Sequence, residues 1–198
     1  MAAAPDDLTF FSTEAADQLF YEQGFEHTSF ADIAAAVGIS RGNFYYHFKT
    51  KDDILDAVID LRLANTRRML AQWEQQGDSA RDRIRCFIHI LIANQGKILL
   101  YGCPVGTLTS ELAKLDHAAL TKAGAVFTLF RNWLQQQFRA LGREQDADQL
   151  AMHVLARSQG VATLASAFHD QTFIQNEVTQ LYHWLDDQLQ PNPGNKEV

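Results

Sequence analysis

The stretch TSFADIAAAVGISRGNFYYHF, residues 28–48, decides how this chain is read. It divides into two short apolar segments about a tight turn. In the first, Phe30, Ile33, Ala34 and Val37 recur at helical spacing behind Ser29 and Asp32, which stand in capping-box register. Gly38 ends that helix, because glycine accepts the left-handed backbone of a C-terminal cap. Ser40 then caps a second helix that sets Phe44, Tyr45, Tyr46 and Phe48 within five positions. At about 100° per residue, Phe44 and Phe48 share the face that packs on the first helix, while Gly42 and Tyr46 lie opposite.

Helix, glycine-containing turn and helix make a helix-turn-helix. The outward face of its second helix carries Arg41, Asn43, Tyr45, Tyr46 and His47, which combine hydrogen-bonding groups with flat apolar surface and no carboxylate. A recognition helix in a DNA major groove needs such a face. Gly42 permits close approach of the backbone, and Lys49 and Lys51 stand where the next helix begins, placed for phosphates. An aromatic core helix in a bundle is the competing reading; the Gly38 turn, the caps and the lysines favour DNA.

Upstream, Phe11, Ala15, Leu19 and Phe20 recur at helical spacing and Gly24 supplies a stop. Downstream, Thr50 and Asp53 open a long helix to about Gln75, with acids early and Arg62, Arg67 and Arg68 later, as the helix dipole favours. Breaks at GDS (77–79) and YGCPVG (101–106) are followed by helices over about 116–141, 145–169 and 172–189. The apolar run from Ile84 to Leu100 is interrupted by Arg85, His89, Asn94, Gln95 and Lys97, which predicts a buried helix and no membrane span. The expected fold is all-α, with about nine helices. Residues 1–50 form a three-helix DNA-binding domain, 51–190 a helical effector-binding and dimerisation body, and 191–198 a disordered tail without apolar content.

Charge sharpens the first domain. The 198-residue chain carries a net −7, and seven acidic residues precede Arg41 with no lysine or arginine among them. DNA contacts must therefore come mostly from the segment around residues 39–51. Two cysteines, Cys86 and Cys103, are too few for a disulfide scaffold and read as reduced thiols of a cytoplasmic protein. The opening MAAAPDD has no basic segment before an apolar run, so no secretory signal is visible.

The segment LFYEQGFEHTSFADIAAAVGISRGNFYYHFKTKDDIL, residues 19–55, resembles the DNA-binding region of the TetR family of bacterial one-component repressors. The family pattern is matched by Leu19–Phe20, Gly24, Thr28–Ser29, Ile33–Ala34, Gly38–Ser40, Tyr45–Phe48 and Lys51. The resemblance implies a homodimer on a palindromic double-stranded operator, paired through the helices at about 145–169 and 172–189, with a small-molecule effector held in the body. Carried over by position, Thr28 and Ser29 touch phosphate, Arg41, Asn43 and Tyr46 reach base edges, and Tyr45, His47 and Lys51 hold the DNA backbone. One departure stands out. Where many family members carry a basic arm and an arginine in the first helix, this chain has PDDLTFFST, with Thr9 near that arginine's place. Fewer phosphate contacts mean a shallower salt dependence, at a slope of about −0.9 per contact. The same departure sustains an alternative, a TetR-shaped protein that has lost strong DNA binding and acts through protein contacts.

In the body, Pro104 suits the first turn of a helix and leaves Cys103 at its N-cap, a candidate thiol sensor whose plain reading is a small space-filling residue. Phe87, Leu91, Tyr101, Leu108, Phe127, Phe130 and Trp133 are candidate effector walls, and each also suits plain core. Arg157 interrupts an apolar stripe that includes Leu150, Val154, Val161 and Leu164, where it can serve an anionic ligand or a dimer salt bridge. The seven histidines form no pair at i, i+3 or i+4, and no glycine-rich phosphate loop or G-x-S-x-G is present. The sequence predicts no enzyme, no metal and no cofactor.

Overall fold

The computed structural model describes residues 5–189. Among them every regular element is a helix: α1 Pro5–Gln23, α2 Phe30–Val37, α3 Arg41–His47, α4 Lys51–Gln76, α5 Ala80–Ala93, α6 Gln95–Tyr101, α7 Pro104–Lys114, α8 Leu120–Ala140, α9 Ala147–Phe168 and α10 Gln171–Gln188. These are ten where about nine were expected, because the one helix expected across the apolar run from Ile84 to Leu100 is broken at Asn94, whose side-chain amide donates to the Ile90 carbonyl at 3.0 Å. No single described helix is long and apolar enough to cross a membrane. The tail at 191–198 lies outside the described residues.

Packing gathers the chain into two compact units. The first joins the residues up to Met69 with Cys103–Leu129; the second joins Leu70–Gly102 with the residues from Phe130 onward. The division falls within α4 and within α8.

In the first unit, Phe20, Phe25, Ile33, Phe44, Phe48, Ile54 and Val58 form the core. Ring contacts hold it, with Phe20 edge-on to Phe25 at 5.3 Å between centroids and Phe30 tilted against Phe44 at 5.0 Å. The buried stripe of α1 is rotated from the expected one. Phe11 is exposed, and Ser12, Thr13, Ala16 and Phe20 are buried. Thr13 can occupy the interior because its hydroxyl donates to the Thr9 carbonyl at 2.9 Å.

In the second unit, α9 and α10 share a core of Leu150, Val154, Val161, Ile174, Val178, Leu181 and Leu185. Leu164, expected in that stripe, is exposed, and Ala165 takes the buried position. Arg157, expected to serve an anionic ligand or a dimer salt bridge, is engaged within its own chain. Its Nε donates to Glu177 of α10 at 2.8 Å, an ion pair within the chain. Arg81 and Asp186 pair at 2.7 Å between α5 and α10, beside Arg85, which lies 4.1 Å over the Tyr182 ring.

Candidate nucleic-acid interface

The interface is built on the turn between α2 and α3. Ser29 caps α2: its hydroxyl accepts the Asp32 N–H at 3.2 Å, and Asp32 accepts the Ser29 N–H at 2.8 Å. Gly38 adopts φ 73°, and the Ile39 N–H bonds the Ala34 carbonyl at 3.0 Å. That left-handed turn starts α3 within three residues of the end of α2.

The rings of α3 then separate as their spacing dictates. Phe44 is 1% exposed and Phe48 is buried, with centroids 5.6 Å apart; Tyr45 is 49% and Tyr46 74% exposed. Tyr45 leans its edge on Phe30, 5.2 Å between centroids, which orients its hydroxyl end without hiding it. Gly42 is exposed between them. The side chains of Arg41 and Asn43 lie outside the described ones; their backbone belongs to α3. His47 closes the helix, and its Nδ1 lies 3.0 Å from the Thr9 hydroxyl of α1. Thr9, which stands near the place of a family arginine, thus acts on the recognition helix through a neighbour.

Three residues expected at phosphate are engaged within the protein itself. Thr28 is 1% exposed and its hydroxyl donates inward to the Gly24 carbonyl at 2.7 Å. Lys49 extends its ammonium back to the Tyr45 and Tyr46 carbonyls, at 2.8 and 3.1 Å, and caps α3. Lys51 donates to the Glu26 carbonyl at 2.9 Å and lies 4.4 Å over the Phe25 ring. An ammonium has three donors, so each lysine retains some capacity, but its position is set by the protein. The Ser29 hydroxyl likewise donates to Asp32 at 2.6 Å.

The start of α4 is fixed by Asp53, which accepts the Thr50 and Lys49 N–H groups at 2.8 and 3.0 Å. The Thr50 hydrogen bonds, backbone first, hold its carboxyl below the ordinary aspartate value. A second anchor had no signal in the sequence. Glu111 of α7 accepts the Phe25 N–H at 2.9 Å and the Glu26 N–H at 2.8 Å, in the loop before α2.

The sequence matches the family model described as bacterial regulatory proteins, tetR family, over residues 13–58. It also matches the model for the C-terminal domain of LmrA/YxaF-like transcriptional regulators over residues 84–180. The chain belongs to the TetR family. A TetR-family regulator is a helix-turn-helix transcription factor and no enzyme. An uncharacterised HTH-type transcriptional regulator of the lacX 3′ region in Lactococcus lactis subsp. lactis is 27% identical over 166 residues, covering 82% of this chain and 85% of that protein. The HTH-type transcriptional regulator TtgR of Pseudomonas putida is 33% identical over 87 residues, 44% of this chain and 40% of its own. The crystal structure of a TetR transcriptional regulator from Legionella pneumophila shares the fold, with a TM-score of 0.79 at 24% identity over 96% of this chain and 99% of that one.

The expected effector walls of this TetR-family body are divided between the two units. Leu108 lines a crevice of the first unit, with Ile59, Arg62, Val105 and Val126; Phe127 of α8 belongs to the same unit and is half-buried. In the second unit, Phe87 is buried against Phe130 at 5.2 Å between centroids, Trp133 against Trp73 at 5.5 Å, and Leu91 is buried. Tyr101, half-buried, ends α6. Cys103 is the N-cap of α7, with Sγ accepting the Gly106 N–H at 3.5 Å, and is half-buried. Cys86 is also half-buried, and burial pushes its thiol pKa up, which disfavours the reactive thiolate.

Proposed function

We propose that the protein is a cytoplasmic transcriptional repressor that binds a palindromic operator as a homodimer and is released by a signal received in its body. The observation that carries this reading is the sorting of the rings in and directly after α3 into a buried pair, Phe44 and Phe48, and an exposed pair, Tyr45 and Tyr46. Residues 1–50 act as the reading head and 51–190 as the sensing and pairing body. Arg41, Asn43 and Tyr46 read base edges from α3; Ser40, Gly42, Tyr45 and His47 hold the DNA backbone, with Thr9 fixing the His47 ring. Lys49 and Lys51 set the local field and the end of α3.

The dimer forms through α9 and α10. The exposed face of α9 carries Met152, Ala156, Gly160, Leu164 and Phe168, without charge, and that of α10 carries Gln175, Thr179 and His183. Two such helices from each copy suit a four-helix interface. Two heads then meet half-sites about 34–36 Å apart, one DNA turn or a multiple. A signal that favours another spacing shifts the population off DNA.

Two inputs fit the body: a reversible small-molecule effector, and covalent modification of Cys103. A Cys103→Ser variant that keeps its full response to the inducer removes the second.

The test of the whole reading is fluorescence anisotropy of the reduced protein on the duplex upstream of its own gene, against a scrambled duplex, at several salt concentrations. Preference for the cognate duplex supports the repressor. Loss of binding to both at low salt moves the reading to a TetR-fold protein acting through protein contacts, which the internal commitment of Lys49 and Lys51 and the acidic α1 favour.

A further inference from the structure

The hydrogen bond between α1 and α3 decides which nitrogen of His47 is left for DNA. The Thr9 hydroxyl lies 3.0 Å from His47 Nδ1, so Nε2 is the ring nitrogen that remains for the DNA backbone. A hydroxyl can donate or accept in such a bond. Threonines within the helices of this chain spend their proton in one direction. Thr13, Thr109, Thr163 and Thr179 each donate at 2.9 Å to the carbonyl four residues back. Thr9 stands in the same register to Pro5 of α1. By that rule its hydroxyl proton stays within α1, and Nδ1 carries a hydrogen that it donates to Thr9. A neutral His47 ring then presents the bare lone pair of Nε2. Phosphate oxygens only accept hydrogen bonds, so they reject that lone pair and suit the imidazolium, in which both nitrogens donate.

We propose that DNA binding by this protein takes up a proton at His47: Thr9 holds Nδ1–H, a proton from solvent adds to Nε2, and the imidazolium so formed donates to a backbone phosphate. The inference deepens the DNA-binding reading above and rests on it for the meeting of His47 with a phosphate. Thr9 is a positioning residue that acts through His47. The chain carries no lysine or arginine before Arg41, so protonation supplies, beside α1, a positive charge that the sequence there omits. The ring has few titratable neighbours. Tyr46 meets it edge-on at 5.3 Å between centroids, and the Lys49 ammonium sits on the Tyr46 carbonyl at 3.1 Å. Asp53 accepts the Lys49 N–H at 3.0 Å, and α1 places the backbone of Asp6 and Asp7 in the turn before Thr9. Lys49 opposes the added charge, whereas Asp53 and the incoming phosphate favour it. A backbone phosphate stays anionic throughout the neutral range, so the proton taken up belongs to the protein.

The experiment is fluorescence anisotropy of the full chain on the duplex upstream of its own gene and on a scrambled duplex, at fixed low salt. It compares about pH 6 with about pH 8, on either side of the ordinary histidine value of about 6.5. Wild type binds at least about tenfold more weakly at the higher pH, because each bound ring must first be protonated. His47→Gln, which keeps a hydrogen-bonding side chain that does not titrate, changes by less than about twofold. Thr9→Val frees the ring to carry its hydrogen on Nε2, so affinity at the lower pH falls by about threefold or more and the pH dependence shrinks. In the His47→Gln background the same valine has no effect, which a merely structural role for Thr9 would not give. Nitrogen NMR of the histidine-labelled wild type without DNA reads the ring directly, whether or not the variants fold, and finds the hydrogen of His47 on Nδ1 at about pH 8. A hydrogen on Nε2, equal wild-type affinity at the two pH values, or a pH dependence kept in His47→Gln overturns the proposal. Operator preference without pH dependence removes the proton uptake and keeps the repressor. Equal, pH-dependent binding to both duplexes keeps the proton uptake, since phosphates carry no sequence, and removes the operator. No binding to either duplex overturns both.

Discussion

Replacing Glu111 tests whether α7 holds the recognition unit in place. Its carboxylate accepts two backbone N–H groups of the loop before α2, Phe25 at 2.9 Å and Glu26 at 2.8 Å. Hydrogen bonds to a charged group are worth about 1.5–3 kcal/mol each where solvent is excluded. The Phe25 bond is partly buried and takes the lower end of that range, about 1.5 kcal/mol. The Glu26 bond is exposed, water replaces the lost acceptor, and about 0.5 kcal/mol is a fair share. Glu111→Ala is therefore expected to lose about 2 kcal/mol, and Glu111→Gln, which keeps one acceptor oxygen, about half of that. In urea the midpoint falls while the slope m stays constant, since the surface exposed on unfolding does not change. In a thermal melt the alanine variant loses about 4–8 °C. Gly24, at φ 91°, gives a second handle: a Cβ there would lie 3.1 Å from a Glu111 carboxylate oxygen, so Gly24→Ala strains both backbone and clamp. An alanine variant of Glu111 within about 0.5 kcal/mol of wild type would refute the clamp as a stabilising element.

Other substitutions separate reading from folding. Tyr46→Ala removes a ring that is 74% exposed, so stability should move by less than about 0.5 kcal/mol while operator affinity falls by about 1–3 kcal/mol in anisotropy titrations. Equal affinity of the two proteins for the operator would take Tyr46 out of the interface. Lys49→Met removes the cap on the Tyr45 and Tyr46 carbonyls; if capping is its role, the affinity falls but the salt slope is kept, whereas a lost phosphate contact lowers the slope by about 0.9. The depressed carboxyl of Asp53 gives a pH signature. Its stabilisation is present above the unfolded aspartate value, about 3.9, and is lost as pH falls through the lower folded value. Wild type and Asp53→Asn should therefore differ in unfolding midpoint at neutral pH and converge in acid; a constant difference across that window contradicts the assignment.

The sequence by itself determined the helix-turn-helix and the two faces of its second helix. Ser29–Asp32, Gly38 and Thr50–Asp53 act on neighbours three or four positions away, and the sorting of Phe44 and Phe48 from Tyr45 and Tyr46 follows from helical period alone. What it left open are contacts between residues far apart in the chain. Thr28 matches a phosphate-binding position in the family pattern, yet the fold turns its hydroxyl inward to Gly24. Glu111 reaches the loop before α2 across 86 residues, and Arg62 reaches Asp17 across 45, and no periodic pattern marks either residue. Aromatic residues of the body gave a list of walls but not their partners; packing set Phe87, Phe130 and Trp133 in one compact unit and Leu108 in the other. Local structure is written in short-range spacing and caps, where each residue constrains its own turn. The assignment of polar side chains to distant partners depends on which helix surfaces meet, and that is decided only when the core has closed.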